Sequence, residues 1–151
     1  MKVHLLQIPP EGVHLEGEEP SSILELHDDT VQSAGPIRYA LDIGLSEGGL
    51  FATGTLGTKL RLQCVACLEH FIDPLHVDDF ACQVELTGHE TVDLTAHVRE
   101  DILLALPPHP HCDRNGERIC KGAFQEWTET AAEPLFEQPH VWGALDQLKL
   151  K

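Results

Sequence analysis

The chain has 151 residues, 42% of them hydrophobic and 23% charged, which reads as one soluble globular domain with room for a sizeable core. Only 5% of residues are aromatic, so that core is expected to be mainly aliphatic. A formal charge of −15, from 25 acids against 10 Lys and Arg, excludes a broad, non-specific grip on nucleic acid, which rests on many cationic contacts to phosphate. The same charge is compatible with a basic protein partner or with solubility alone.

No apolar run approaches the roughly 20 residues that a membrane-spanning helix needs. The opening "MKVHLLQIPPEG" carries one lysine and an apolar run broken by Pro9 and Pro10. That pattern is not a secretory signal, and the expected location is the cytoplasm. The N-terminal segment, about 1–35, offers strand-like runs at Val3 to Ile8 and at Ile23 to Leu26. Between Glu11 and Asp29 it holds seven acids and no Lys or Arg, and this stretch is expected to be a loop.

From Ile37 the pattern sharpens. Ile37, Tyr39, Leu41, Ile43 and Leu45 alternate with Arg38, Ala40, Asp42 and Gly44, the period of a half-buried strand. "SEGG" follows as a turn. Leu50, Ala52, Leu56, Leu60, Leu62 and Cys64 then hold one phase of a second strand, with Gly54 and Gly57 marking bends or bulges. The prediction is a long antiparallel hairpin over 37–64. Residues 71–77 look extended but are interrupted by Pro74. Phe80, Cys82, Val84 and Leu86 alternate again in a shifted phase, which places a bulge or break at Asp78-Asp79. Cys82 shares the apolar phase and reads as a small buried hydrophobe.

The period changes at "VDLTAHVREDILLALPP". Leu94, Val98, Ile102 and Leu106 recur every four residues, which predicts an amphipathic helix at about 95–106. Asp93 or Thr95 can cap it, and Pro107 and Pro108 stop it. In the cysteine-containing segment and tail, 109–151, Val141, Trp142, Leu145 and Leu148 predict a C-terminal tail docked through Trp142. The expected architecture is a single α+β domain: a mostly antiparallel curved sheet or partly open barrel, one main helix and the docked tail.

Five cysteines without an export signal argue against a disulfide framework. Cys64 and Cys67 have the spacing of one zinc knuckle. Cys112 and Cys120 can supply the second pair, because Asn115-Gly116 is a strong turn signal between them. Four thiolates so placed make a structural zinc clip joining the hairpin end to the segment after the helix. His109 and His111 are reserve ligands. A redox dithiol, a disulfide and unligated thiols are the competing readings. Lys59, Arg61, Arg114, Arg118 and Lys121 lie near these cysteines in sequence and form a candidate basic corner. It serves either RNA phosphate or the negative charge of a thiolate-rich metal site. No GxSxG, HExxH, Walker or GxGxxG motif is present, so no catalytic residues are assigned and the chain is not read as an enzyme.

The order of these features resembles the YceD family, the large ribosomal RNA subunit accumulation proteins. The resemblance rests on "CVACL", on "VDLTAHVREDILLALP" with the following "HPHC", on "CKG", and on the closing "LDQLKLK". It covers most of the chain from about residue 37. It departs from the family at the second pair, where Cys112 and Cys120 are further apart than usual and "CKGAF" lacks a further cysteine. The resemblance implies a non-catalytic factor for maturation or accumulation of large-subunit ribosomal RNA. Its implied partners are precursor rRNA or a small basic large-subunit ribosomal protein, with no membrane and no small-molecule substrate.

Overall fold

In the computed structural model, residues 1–46, 48–116 and 118–122 are described. Among these residues seven strands and one α-helix follow in chain order: β1 (Lys2–His4), β2 (Val13–Glu19), β3 (Val31–Ser33), β4 (Ile37–Ser46), β5 (Gly49–Gln63), β6 (His70–Glu85), β7 (Thr91–Asp93) and α1 (Thr95–Leu104). All pairings are antiparallel. The main sheet runs β2-β4-β5-β3, with β6 along the other edge of β5, and β1 pairs separately with β7. This is the expected α+β curved sheet, and among the described residues it does not close into a barrel.

The predicted hairpin is β4–β5. Its alternation sends Ile37, Leu41 and Ile43 of β4, and Leu50, Ala52, Leu56, Leu60 and Leu62 of β5, into one aliphatic core. Val98 and Ile102 of α1 join that core, with Leu94 just ahead of the helix. The phase shift at Asp78-Asp79 is a bulge. Gly54 pairs with Phe80 and Leu56 with Val77, so Thr55 alone opposes two β6 residues. The bulge moves the buried phase from Phe71, Asp73 and Leu75 to Phe80.

Several details differ from expectation. Pro74 does not interrupt β6, which runs unbroken through it opposite Lys59. The outer edge of β6 tolerates a residue with no N–H to donate. The acidic stretch is not wholly a loop. Its centre is β2, which pairs along its whole length with β4, holding Val13 and Leu15 against the core and His14, Glu16 and Glu18 in solvent. Ile23 lies in a 3₁₀ turn, Ser21–Leu24, rather than a strand, and the run expected as a strand from Val3 to Ile8 is a strand only to His4, with Leu5–Gln7 a 3₁₀ turn. The helix ends at Leu104. Asp93 accepts the Thr95 N–H at 2.9 Å, while Leu94 holds the N-cap position with no side-chain cap. The expected docking of the tail through Trp142 lies outside the described residues.

Candidate metal centre

The hairpin end makes the first half of the site. β5 stops at Gln63, and residues 64–69 turn back into β6. The Cys64 N–H donates to the Glu69 carbonyl at 2.9 Å, and the Leu68 N–H donates to the Cys64 carbonyl at 2.9 Å. The Gln63 side-chain amide donates to the Leu68 carbonyl at 3.0 Å. This closed knuckle sets Cys64 and Cys67 side by side and forces Leu68 to a φ of 60°.

The second half comes from the chain beyond α1. The proline run carries it back over the knuckle, where the Val65 N–H donates to the Pro110 carbonyl at 2.9 Å. A turn then folds the loop on itself. Arg114 N–H donates to the His111 carbonyl at 3.2 Å, Gly116 N–H donates to the Asp113 carbonyl at 2.9 Å, and Gly116 takes a φ of 71°. The predicted Asn115-Gly116 turn thus returns Cys120 to Cys64.

The four sulfurs lie within 4.8 Å of one another, with Cys64–Cys120 and Cys67–Cys112 each at 3.7 Å. A tetrahedron with Zn–S bonds of about 2.3 Å has sulfur–sulfur edges of about 3.8 Å, so the spacing fits one metal ion held by four thiolates. All five cysteines are free thiols. Cys64 and Cys112 are buried, while Cys67 and Cys120 are partly covered. The electrostatics favour a cation. Burial pushes the Cys64 thiol up, but the backbone N–H groups of Cys67, Cys112 and Ala66 outweigh it and bring the thiol down to about 6. Cys112 is pushed up to about 12 by burial and by the other three thiols. Cys120 is also raised, chiefly by burial. The Cys64 thiolate forms readily, while Cys112 and Cys120 resist joining it without a positive charge between them. A soft four-thiolate set suits zinc or iron.

His109 and His111 are exposed, and among the described residues the ligand cluster is all cysteine. Cys82 lies outside it. It pairs with Ala52 on β5 and packs against the core, where burial raises its thiol. The residues after Cys67 enter a strand, not the helix N-terminus that a redox CxxC prefers.

The five cations predicted as one corner come from two places, Lys59 and Arg61 on β5 and Arg114, Arg118 and Lys121 on the second cysteine loop. Lys59 and Arg61 alternate with buried Leu60 and Leu62, so they project from the outer face of the sheet. Arg114 lies 3.9 Å from Asp73, whose side chain is on the core face, and Arg118 pairs with Glu69 at 2.8 Å. Lys121 is exposed beside Cys120. Asp73 is a residue that sequence reasoning passed over. It is 4% exposed and accepts a 3.0 Å hydrogen bond from Asn115, pinning the Cys112–Cys120 loop to β6. Its signal was present: an acid in the apolar phase between Phe71 and Leu75.

Leu68 supplies a direct test of the knuckle. A left-handed conformation costs a non-glycine residue about 1–2 kcal/mol. Glycine's extra unfolded-state entropy offsets about 0.5–1 kcal/mol of that. Leu68 is 66% exposed, so little burial is lost on truncation. Leu68→Gly is therefore expected to stabilise the protein by about 0.5–1 kcal/mol in urea unfolding. A clear loss of stability would mean that the knuckle is not the turn described.

Scans against protein-family models, curated proteins and solved structures return no match to this chain.

Proposed function

We propose that this chain is a non-catalytic ribosome biogenesis factor that supports accumulation of large-subunit ribosomal RNA, and that a structural zinc ion clips its fold. The observation that carries the zinc reading is the four-sulfur cluster. Four protein ligands at tetrahedral spacing close the coordination sphere, the pattern of a structural rather than a catalytic zinc site. Using four of the five thiols as ligands also leaves no exposed nucleophile among them. The ribosomal reading is supported by the resemblance of the CxxC hairpin end, the following helix and the second cysteine pair to YceD proteins.

Two contact modes are compatible with this role. The exposed carboxylates of β2, Glu16 and Glu18, suit a basic large-subunit ribosomal protein, which needs shielding from stray RNA contact. The outward cations of β5 suit precursor rRNA. The deciding experiment is a tagged pull-down from the native host at low salt, with RNA and protein quantified against a mock tag. Neutralising Glu16, Glu18 and Glu19 should deplete a basic protein; reversing Lys59 and Arg61 should deplete rRNA. If neither large-subunit precursor nor basic ribosomal protein is enriched, the ribosomal role fails and a zinc-clipped interaction domain with another partner takes its place.

A further inference from the structure

The outer face of the sheet carries a groove of about 460 Å³ that the sequence motifs do not reveal. Ligand sites for small molecules span roughly 300–1,000 Å³. The groove crosses three strands. In one rung Arg38 of β4, Gly57 of β5 and His76 of β6 stand side by side. Two strand spacings separate Arg38 from His76, about 10 Å between backbones. The centre of that rung has no side chain, so the floor is bare backbone between two nitrogen-bearing groups. Lys59 stands two residues along β5 on the same face.

One wall is a loop held down on β5. Ala34 N–H donates to the Lys59 carbonyl at 2.8 Å, and the Thr58 hydroxyl donates to the Pro36 carbonyl at 3.2 Å. Pro36 and Pro74 line the groove with flat apolar rings, and Asp78 lines it as the one carboxylate. Arg38 is held by Glu18 through its Nε at 2.9 Å, which fixes the guanidinium at the wall. Arg99, Arg114 and Arg118 pair with carboxylates elsewhere, whereas among the described residues Lys59 makes no ion pair. Arg38 and Lys59 thus stand with the His76 ring around a bare floor, two cations on one face of a chain whose formal charge is −15.

We propose that this groove binds one nucleotide unit: its phosphate is held by Arg38, Lys59 and His76 over Gly57, and its ribose and base lie along Pro36 and Pro74. Charge-assisted hydrogen bonds to phosphate supply the affinity, and the apolar rims accept a planar group. The proposal rests on the ribosomal reading only for RNA as the source of the nucleotide. A free nucleotide presents the same chemistry.

Two variants and a control test it. Gly57→Val fills the floor without changing charge. A Cβ there first meets the movable His76 ring, at 3.3 Å, so the strand accommodates it. Lys59→Glu removes a phosphate contact. Lys2→Glu makes the same charge change on exposed β1, outside the groove lining. Binding is read by fluorescence anisotropy of a labelled single-stranded RNA of mixed sequence, and by calorimetry with adenosine monophosphate. Each variant is first checked for an unchanged melting temperature. Gly57→Val and Lys59→Glu are expected to weaken RNA binding about tenfold or more, the value of one lost charge-assisted contact, and Lys2→Glu less than about threefold. If RNA binds wild type and Gly57→Val equally, the groove is overturned while an RNA role stands. If adenosine monophosphate shows the expected variant pattern and RNA does not bind, the groove stands with a free nucleotide as ligand and the RNA-contact mode fails. If neither ligand binds wild type, the groove proposal is overturned, and the ribosomal role is decided by the pull-down alone.

Discussion

Cys112→Ser is expected to abolish stoichiometric zinc binding and to lower stability by more than about 4 kcal/mol, a loss typical of deleting a structural metal. For a domain of this size that is about 10 °C or more in melting temperature. Cys112 is 6% exposed and faces Cys67 at 3.7 Å, so a serine there leaves three thiolates and a hydroxyl that is a poorer zinc ligand. A metal held by the four thiols would join two segments that are far apart in sequence, residues 64–67 at the hairpin end and 112–120 beyond the helix. Breaking the joint restores the freedom of a long loop. The loss should be local first. The β4–β5 hairpin keeps Leu41, Leu50 and Leu56 in the core without the metal. The Val65 amide, bonded to Pro110 across the joint, should lose hydrogen-exchange protection before the amides of β5 do. Acid should reproduce the effect, because protons compete with the metal for thiolates. Cys82→Ser, outside the cluster, should leave the zinc content unchanged. Elemental analysis of the purified protein, with thermal unfolding of both variants, checks this. A Cys112→Ser protein that retains one zinc per chain and melts with wild type would remove the clip.

The sheet was legible where side chains alternate cleanly. β4 and β5 follow from residues 37–64, and even the bulge opposite Thr55 follows from the shift of apolar phase at Asp78-Asp79. The thiol cluster was legible because two cysteine pairs, one compact and one bridged by Asn115-Gly116, have few other uses in a chain of this composition. β2 was hidden because its inward phase includes Gly17 and Glu19, which break the apolar signal that Val13 and Leu15 begin. Pro74 hid the continuity of β6, since a sequence does not say which strand edge is free. The placement of the five cations was not legible for a different reason. Nearness in sequence does not fix the face, and a strand phase separates Lys59 and Arg61 from the loop that carries Arg114. The groove depends on a rung shared by three strands, and cross-strand register is set by pairing rather than by any local run.

That register can be broken at one atom. Gly54→Ala is expected to cost more than about 3 kcal/mol, combining left-side backbone strain with a clash that cannot relax. Gly54 has a φ of 151°, in the region that favours glycine. An added Cβ would stand 2.1 Å from the Ala40 carbonyl oxygen and 2.9 Å from the Leu41 Cα. Both obstacles are backbone, so no rotamer change on β4 makes room. The residue also occupies the point where β4, β5 and β6 meet, paired with Leu41 on one side and Phe80 on the other. The bulge beside it turns the fully buried Phe80 into the same core as Leu75. Pushing β4 away therefore loosens both halves of the core and displaces Arg38 from the rung it shares with Gly57 and His76. Gly57→Ala is the matched control. Its new methyl meets the His76 ring at 3.3 Å and the Leu75 carbonyl oxygen at an ordinary 3.8 Å, and its cost should stay below about 1 kcal/mol. Urea unfolding of the two variants makes the comparison. If Gly54→Ala comes within about 0.5 kcal/mol of wild type, the ordinary range for a harmless surface change, then β4 does not approach β5 as described and the three-strand rung is lost with it.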